Sequence, residues 1–322
     1  MHEQAGQRIA AVVTDAAMLT GNIKSIELAA ADGAALPNAA PGAHIDLWLP
    51  GGHVRQYSVM ECRGDGAAYK IAVLRDPHSR GGSSWIVDHL SKGQTIQLSG
   101  PRNHFALEEH GDEYILIAGG IGVTPIVPMA MQLASTGKKF SFHYLARARE
   151  QALLDVIESS ALRDIVQFHF SDVQGEVDLR TLIGAPRART HIYVCGPGRL
   201  IDSVVQAGYD WPADAIHFER FAVAPVNQGG QCGRDSFEVE LARSQRVLTV
   251  PASQSILEVL RKERIEVDTV CARGLCGTCA VPLLAGEAEH LDAIQTEEEK
   301  AENKVIYVCI SRARSARLVL DL

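Results

Sequence analysis

Four cysteines near the C-terminus constrain the fold of this chain more than any other feature. They are spaced C-x4-C-x2-C with a distant fourth cysteine, at Cys271, Cys276, Cys279 and Cys309. Plant-type ferredoxins hold a 2Fe-2S cluster with four thiolates at this spacing. Glycines and a small threonine lie between the first three cysteines, so backbone N–H groups can approach the cluster sulfides. The pattern therefore predicts an iron-sulfur module.

A zinc site is the alternative for these cysteines. Structural zinc sites usually use two C-x2-4-C pairs, whereas only Cys276 and Cys279 form such a pair here. The other three cysteines, Cys62, Cys195 and Cys232, lack ligand spacing and are interpreted as buried or incidental thiols. An odd set of seven cysteines, three of them crowded together, indicates metal ligation in a reducing compartment rather than a disulfide framework.

Length and charge narrow the class of protein. A chain of 322 residues predicts two or three domains. The net charge is -8, and no basic block is present that would follow a phosphate backbone, which argues against a nucleic-acid partner. No apolar run approaches the roughly 18 residues that span a bilayer, and the N-terminus lacks a signal-peptide pattern. We expect a cytoplasmic monomer that does not bind membranes, and we interpret most of the twelve histidines as solvated surface.

The first segment, residues 1–107, shows short strands separated by turns. Alternating or apolar runs occur at His44–Leu49, Gln56–Met60 and Tyr69–Leu74. This spacing of short strands predicts a small antiparallel β-barrel.

The second segment, residues 108–222, shows a different pattern of apolar runs. The continuous apolar run Tyr114–Ala118 ends in glycines before a helix-like stretch, and further runs follow at 140–145, 165–170, 191–195 and 215–218. Apolar strands that alternate with helices are typical of a doubly wound parallel α/β sheet with helices on both faces.

A linker and a third module complete the chain. Residues 223–236 are rich in Gly, Pro and Gln, and predict a linker. In residues 237–322, the runs Phe237–Leu241 and Val247–Val250 predict a hairpin. Capping-box patterns at Ser255–Glu258 and Thr296–Glu299 predict two helix starts, the first helix continuing to Arg264.

The loop from Cys271 to Cys279, Cys-Ala-Arg-Gly-Leu-Cys-Gly-Thr-Cys, resembles the cluster loop of the phthalate dioxygenase reductase family. Members of that family carry a flavin domain, a nicotinamide domain and a C-terminal β-grasp ferredoxin domain, in the order inferred here. The resemblance implies FMN, NADH and a 2Fe-2S cluster as cofactors, and a terminal Rieske-type oxygenase component as partner. It implies an NADH-dependent reductase that passes electrons through these groups to the oxygenase.

Two stretches fit the flavin site of this family. The R-x-Y-S strand of Arg55, Tyr57 and Ser58 resembles the family strand in which arginine binds the flavin phosphate and the tyrosine and serine lie against the isoalloxazine. The family also holds the phosphate with a turn that matches Gly82, Ser83 and Ser84, where small residues at a helix start offer backbone donors. An ordinary strand and a tight turn are the alternatives. FMN rather than FAD follows from the resemblance alone.

Two glycine-rich turns follow strands of the predicted parallel sheet. Gly119-Gly-Ile-Gly-Val-Thr-Pro125 resembles the nicotinamide turn of ferredoxin reductases, and implies a nicotinamide site at Gly119, Gly120 and Gly122 with Thr124 near the flavin. Cys195, Gly196 and Pro197 resemble the second nucleotide loop. Glycine turns at two strand ends of one parallel sheet form a ligand crevice. Phe221 matches an aromatic that covers the flavin ring in the family, with core packing as the alternative.

The choice between NADH and NADPH rests on conflicting residues. Arg147 and Arg149 can grip a 2'-phosphate, whereas Asp172 can repel one or bond a ribose hydroxyl. The resemblance favours NADH, with Asp172 in the site. Two other functions remain alternatives: a flavin reductase or monooxygenase that acts directly on a small substrate, and a zinc-holding adaptor.

Overall fold

The computed structural model describes residues 8–76, 81–158, 160–221, 236–269, 274, 277–292 and 294–322. The chain forms two compact units, Met1–Phe221 and Ala222–Leu322. The predicted linker lies outside the described residues except for Ser236, and the bounds of the four predicted segments stay predictions. None of the described helices is long and apolar enough to cross a membrane.

The first sheet is antiparallel and curls into a half-barrel, as the spacing of short strands predicted. Its strands are β1 (Ile9–Met18), β2 (Ile23–Ala30), β3 (His44–Leu49), β4 (His53–Ser58), β5 (Glu61–Arg63), β6 (Ala68–Leu74) and β7 (Thr95–Leu98), in the order β4-β3-β7-β1-β2-β6-β5. Helix α1 (Gly82–His89) buries Ile86 and Val87 against the same core. Strand β4 starts earlier than the apolar run predicted, because His53 pairs with Leu49 directly across a tight turn.

The second sheet is entirely parallel. Strands β8 (Glu113–Gly119), β9 (Lys139–Ala146), β10 (Val166–Phe170), β11 (Thr190–Cys195) and β12 (Ile216–Glu219) lie in the order β10-β9-β8-β11-β12. The helices between them are α2 (Val123–Ser135), α3 (Leu154–Glu158), α4 (Ser171–Gln174), α5 (Leu179–Ile183) and α6 (Gly198–Ala207). Apolar clusters cover both faces, which confirms the doubly wound sheet. The strand order reverses between β8 and β11, so ligands are expected at the carboxyl ends of these two strands.

The half-barrel and the parallel sheet share one apolar core within the first unit. Ile23, Met60 and Phe105 pack in the same cluster as Leu116 on β8. The segment that joins the two sheets is held by tyrosines of the parallel sheet; for example, the Tyr193 hydroxyl donates to the Ala106 carbonyl at 3.1 Å. These contacts hold the parallel sheet against the half-barrel within the first unit.

The second unit is a mixed sheet with a helix packed against its core, the β-grasp arrangement predicted. Its elements are β13 (Phe237–Leu241), β14 (Arg246–Val250), α7 (Ile256–Lys262), β15 (Ala280–Ala285), β16 (Ala288–Glu289), α8 (Glu297–Glu302), β17 (Val305–Tyr307), β18 (Arg312–Ala313) and β19 (Arg317–Leu320). The main sheet has the order β14-β13-β19-β15-β17, with β13 and β19 parallel, and β16 pairs with β18. Both capping boxes form, at Ser255 and Thr296. Helix α7 ends before the predicted Arg264, which takes a left-handed φ of 58°.

Candidate functional site

Arg55 and the start of α1 meet at one place on the half-barrel. A Cβ on Gly82, the first residue of α1, would lie 2.5 Å from Nε of Arg55. Only a glycine therefore leaves room for the guanidinium against the helix start. The side chain is further fixed because its Nη1 donates to the Val54 carbonyl at 2.8 Å. The two stretches predicted to hold the flavin phosphate are thus brought together.

The N-terminus of α1 has the properties of an anion site. Gly81 precedes it in a left-handed conformation with φ of 101°, and the first turn contains no acidic residue. Ser83 and Ser84 follow, and the Ser83 hydroxyl accepts from the Asp76 backbone N–H at 3.1 Å. Unpaired N–H groups at a helix start attract phosphate groups. Arg55 adds a fixed cationic fork to these donors, so the residues fit the phosphate of a flavin mononucleotide.

Tyr57 and Ser58 continue the same strand. Tyr57 is half-buried and packs against the half-barrel core. Ser58 is buried, and its hydroxyl oxygen has no hydrogen-bond partner in the described part of the chain. A buried hydroxyl without a partner is unfavourable, and a ligand polar group would satisfy it. That observation supports the predicted place of Ser58 at a flavin.

The two predicted glycine turns touch each other at the switch point of the parallel sheet. A Cβ on Gly122 would lie 2.3 Å from the Cys195 carbonyl oxygen, and one on Gly196 would lie 2.9 Å from Cα of Gly119. Larger residues would push the turns apart. Gly120 takes a φ of 53°, which favours glycine. Pro197 precedes α6, so both strand-to-helix turns open at the edge where a dinucleotide would bind.

Thr124 and Phe221 are both tied to protein groups. Thr124 is buried, and its hydroxyl donates to the Ile121 carbonyl at 3.0 Å, which leaves only its lone pairs for a flavin. Phe221 is half-buried and packs against the core shared by the half-barrel and the parallel sheet. That contact agrees with the alternative of core packing, and a flavin-covering role for Phe221 stays a prediction.

The residues that conflict over NADH and NADPH lie side by side. The backbone N–H of Asp172, in the first turn of α4, donates to the Arg147 carbonyl at 3.0 Å. Both side chains are exposed. Arg149 pairs with Glu158 at 2.9 Å, so its charge is already partly balanced.

A buried acid and a buried histidine lie between these two sites, and the sequence did not identify them. Glu219, the last residue of β12, is directly opposite Cys195 of β11 and lies 3.8 Å from His44 of β3. Burial raises the pKa of Glu219 to about 8 and, with the Arg102 charge, lowers the pKa of His44 to about 3. Burial also raises the pKa of the Cys195 thiol, which is therefore protonated and inert, in agreement with its interpretation as a buried thiol. Perturbed groups at a crevice are typical of functional sites.

The candidate cluster site is seen at two of its four cysteines. Cys279 and Cys309 are both buried. Their segments lie side by side, since the Val308 N–H donates to the Cys279 carbonyl at 3.3 Å. Cys271 and Cys276 lie outside the described residues. The backbone N–H of Gly274 points at the Cys309 sulfur, 3.3 Å away. Such N–H to sulfur contacts stabilise the negative charge of a thiolate ligand, so the described residues fit an iron-sulfur cluster.

Glycine conformation supports the same site. Gly274 and Gly277 have φ of 69° and 73°, and a Cβ on Gly274 would lie 2.7 Å from Ile310. Gly274 also stands against Asp292, whose Oδ2 accepts from two backbone N–H groups while Oδ1 has no partner among the described residues. Asp292 is a further buried carboxyl that the sequence did not reveal, because no motif surrounds it.

Comparison with known proteins decides the family. Residues 239–314 match the model of the 2Fe-2S iron-sulfur cluster binding domain. The chain is 40% identical over 319 residues to the vanillate O-demethylase oxidoreductase of Pseudomonas sp. (strain HR199 / DSM 7063), a match that covers 98% of this chain and 100% of that protein. The solved structure of phthalate dioxygenase reductase matches with a TM-score of 0.74 and 37% identity over 99% of both chains. This chain belongs to the phthalate dioxygenase reductase family.

Membership confirms the resemblance of the cluster loop and the three-part fold. The reductase is an oxidoreductase of oxygenase systems, with an electron-transfer role and a C-terminal 2Fe-2S domain. The match to a 2Fe-2S domain favours a cluster over the zinc-holding adaptor. An intact type IV self-sufficient cytochrome P450 monooxygenase also matches, with a TM-score of 0.86 and 35% identity over 98% of this chain and 41% of that chain. A similar reductase module therefore also occurs inside a longer oxygenase chain.

Proposed function

We propose that the reductase accepts hydride from NADH, stores the electrons on FMN and delivers them singly through a 2Fe-2S cluster to a terminal Rieske-type oxygenase component. The contact of the two glycine turns at the switch point, beside the half-barrel that carries Arg55, is the observation that carries this proposal. When bound, the flavin accepts an electron pair and the cluster accepts single electrons. The chain's own residues bind and orient these groups.

Two places in the first unit would bind the flavin and the nicotinamide cofactor. Arg55 and the Gly82-Ser83-Ser84 helix start would hold the flavin phosphate, with Tyr57 and Ser58 along the ring system. Gly119, Gly120, Gly122 and the Cys195-Gly196-Pro197 turn would leave the backbone close to the nicotinamide cofactor. Hydride transfer needs no acid or base from the protein, so positioning supplies most of the rate enhancement. Glu219 and His44 would both be uncharged near neutral pH, so they would add no net charge where the flavin and the nicotinamide meet.

NADH is proposed over NADPH because of Asp172. Asp172 directly follows strand β10 at the carboxyl edge of the sheet, where its negative charge would repel a 2'-phosphate. Replacing Asp172 with alanine should raise activity with NADPH relative to NADH, while Arg147→Ala should leave NADH oxidation largely intact. Equal use of both cofactors by the native chain would contradict the assignment.

The first experiment is the visible spectrum of the purified chain, followed by rapid mixing with NADH. We expect a flavin band with a red-brown iron-sulfur absorption, and bleaching of the flavin band before the cluster band. A colourless protein, or a flavin band alone, would contradict the proposal. Electron delivery to a panel of purified oxygenase components then identifies the partner.

Cysteine thiolates used as cluster ligands suit the reducing cytoplasm, where we propose that the protein acts. A monomer is proposed, and size-exclusion chromatography with light scattering measures the mass directly. A mass of two chains would contradict the monomer without affecting the electron path.

A further inference from the structure

His53 stands at the same helix start as Arg55, although no motif includes it. The two residues are separated by one position on β4, and side chains alternate along a strand, so both lie on one face. The imidazole Nε2 lies 3.7 Å from the position of a Cβ on Gly81, immediately before α1. It lies equally close, 3.7 Å, to the Cβ position on Gly51 in the turn before β4. The ring is therefore placed between that turn and the start of α1.

Among the residues that the structure describes, none occupies the polar atoms of the His53 imidazole. His53 is half-buried, and within the described residues its ring has no hydrogen bond or ion pair. The first turn of α1 holds no acidic side chain that would compete for it. A neutral imidazole donates a hydrogen bond from one ring nitrogen and an imidazolium donates from both, so a histidine at this place can donate to a phosphate oxygen.

We infer that His53 is a second basic ligand of the flavin phosphate, and that it makes this a site for a terminal phosphate monoester. The inference rests on the proposed flavin site and deepens it. The monoester of FMN carries about -1.5 to -2 charges at neutral pH, as phosphate monoesters do. Each phosphate of FAD carries only one charge, because both are esterified on two sides. Arg55 together with His53 matches the higher charge, so His53 is a specificity-determining residue that favours FMN over FAD.

The alternative is that His53 only packs between the two turns. The two roles differ in which ligand they affect. A packing role would alter the site for every flavin, whereas a phosphate ligand has no effect on riboflavin, which lacks the phosphate. Riboflavin therefore separates the two roles.

The test uses the full chain, stripped of flavin, with its cluster absorbance recorded as a check of integrity. Affinities for FMN, FAD and riboflavin are measured by flavin fluorescence for the native chain, His53→Gln and the control His89→Gln, at the opposite end of α1. Glutamine keeps a donor but not the charge. A charged hydrogen bond is worth roughly 1.5–3 kcal/mol, so we expect FMN affinity to fall about tenfold or more. FAD affinity should fall less, and riboflavin affinity should not change.

The possible results distinguish failure of the inference about His53 from failure of the proposed flavin site. An equal loss for all three flavins would assign His53 to packing, and unchanged FMN affinity would remove it from the site; either overturns the inference. Arg55→Ala is measured in parallel. If Arg55→Ala weakens FMN binding and His53→Gln does not, only the inference about His53 fails. If neither substitution changes FMN binding, the proposed flavin site itself is wrong.

Discussion

The Oε1 atom of Glu219 lies 3.8 Å from Nδ1 of His44, and both side chains are largely withdrawn from solvent. Burial raises the pKa of Glu219 to about 8, and burial together with the Arg102 and His104 charges lowers the pKa of His44 to about 3. Between these values the carboxyl is protonated and the imidazole is neutral. The junction of the half-barrel and the parallel sheet therefore holds an uncharged pair rather than an ion pair.

The first prediction is that this pair gives the first unit a stability maximum on the pH axis. From pH 4.5, the ordinary Glu value, to about 8, the unfolded chain has lost the Glu219 proton and the folded chain keeps it, so the free energy of unfolding falls as pH rises. From pH 6.5 down to about 3, the unfolded chain protonates His44 and the folded chain does not, so stability falls as pH falls.

In Glu219→Gln, the free energy of unfolding should fall less steeply as pH rises on the alkaline side of the maximum. In His44→Gln, it should fall less steeply as pH falls on the acidic side. All three tryptophans, Trp48, Trp85 and Trp211, belong to the first unit, so urea unfolding followed by tryptophan fluorescence reports on it. His89→Gln, at an exposed position, is the control. An alkaline slope that survives in Glu219→Gln would show that its carboxyl is not the titrating group.

The second prediction concerns Gly82→Ala. Alanine favours a helix over glycine by about 1 kcal/mol, so the substitution should not weaken α1 itself. Its Cβ would lie 2.5 Å from Nε of Arg55 and must displace the guanidinium. We expect FMN affinity to fall about tenfold to a hundredfold, as for Arg55→Ala, since a charged hydrogen bond is lost.

The matched control for Gly82→Ala is Gly100→Ala, where a Cβ meets nothing within 4 Å. Flavin fluorescence released on dilution measures the loss, and the cluster absorbance should be unchanged in both variants. Lysine at position 55 should restore only part of the affinity, because a point charge lacks the bidentate geometry of arginine. Full retention of FMN by Gly82→Ala would show that FMN binding does not need the Arg55 guanidinium beside the start of α1.

The sequence predicted the elements that depend on local pattern. Strand β3 agrees with the apolar run His44–Leu49, and both capping boxes form at Ser255 and Thr296. Hydrophobic periodicity and helix capping depend on residues close together in the sequence, so both can be predicted without the tertiary structure. The glycine turns were also correctly placed after β8 and β11, because a glycine-rich turn directly after a buried parallel strand is typical of a nucleotide crevice.

The residues that the sequence did not identify depend on contacts between distant segments. Interpreting most histidines as surface was wrong for His44 and His143, which are buried, and the flavin motif did not extend to His53. Glu219 belongs to no motif that would mark it as a buried acid. Its altered pKa arises from packing against the half-barrel, far away in sequence, and no spacing rule encodes such a contact.

The third prediction is that Cys309→Ser removes most of the iron-sulfur signal. The Gly274 N–H directed at the Cys309 sulfur would stabilise a thiolate ligand at this position, and serine oxygen is a poorer ligand for iron. Electron paramagnetic resonance of the dithionite-reduced chain measures the cluster, and Cys62→Ser serves as the control with a thiol outside the set. An undiminished signal in Cys309→Ser would refute its role.

The last prediction follows from the division of the chain into two compact units. The unit Met1–Phe221 contains the half-barrel, the parallel sheet and their shared core, so a fragment of residues 1–225 should fold alone. It retains Arg55, the α1 start and both glycine turns, and should keep NADH-driven reduction of ferricyanide. It lacks Cys271, Cys276, Cys279 and Cys309, so electrons should no longer reach a one-electron protein acceptor such as cytochrome c. The full chain, assayed at equal flavin content, is the control for both acceptors. If the fragment reduced cytochrome c as fast as the full chain, electrons would leave from the flavin, and the second unit would not be their exit.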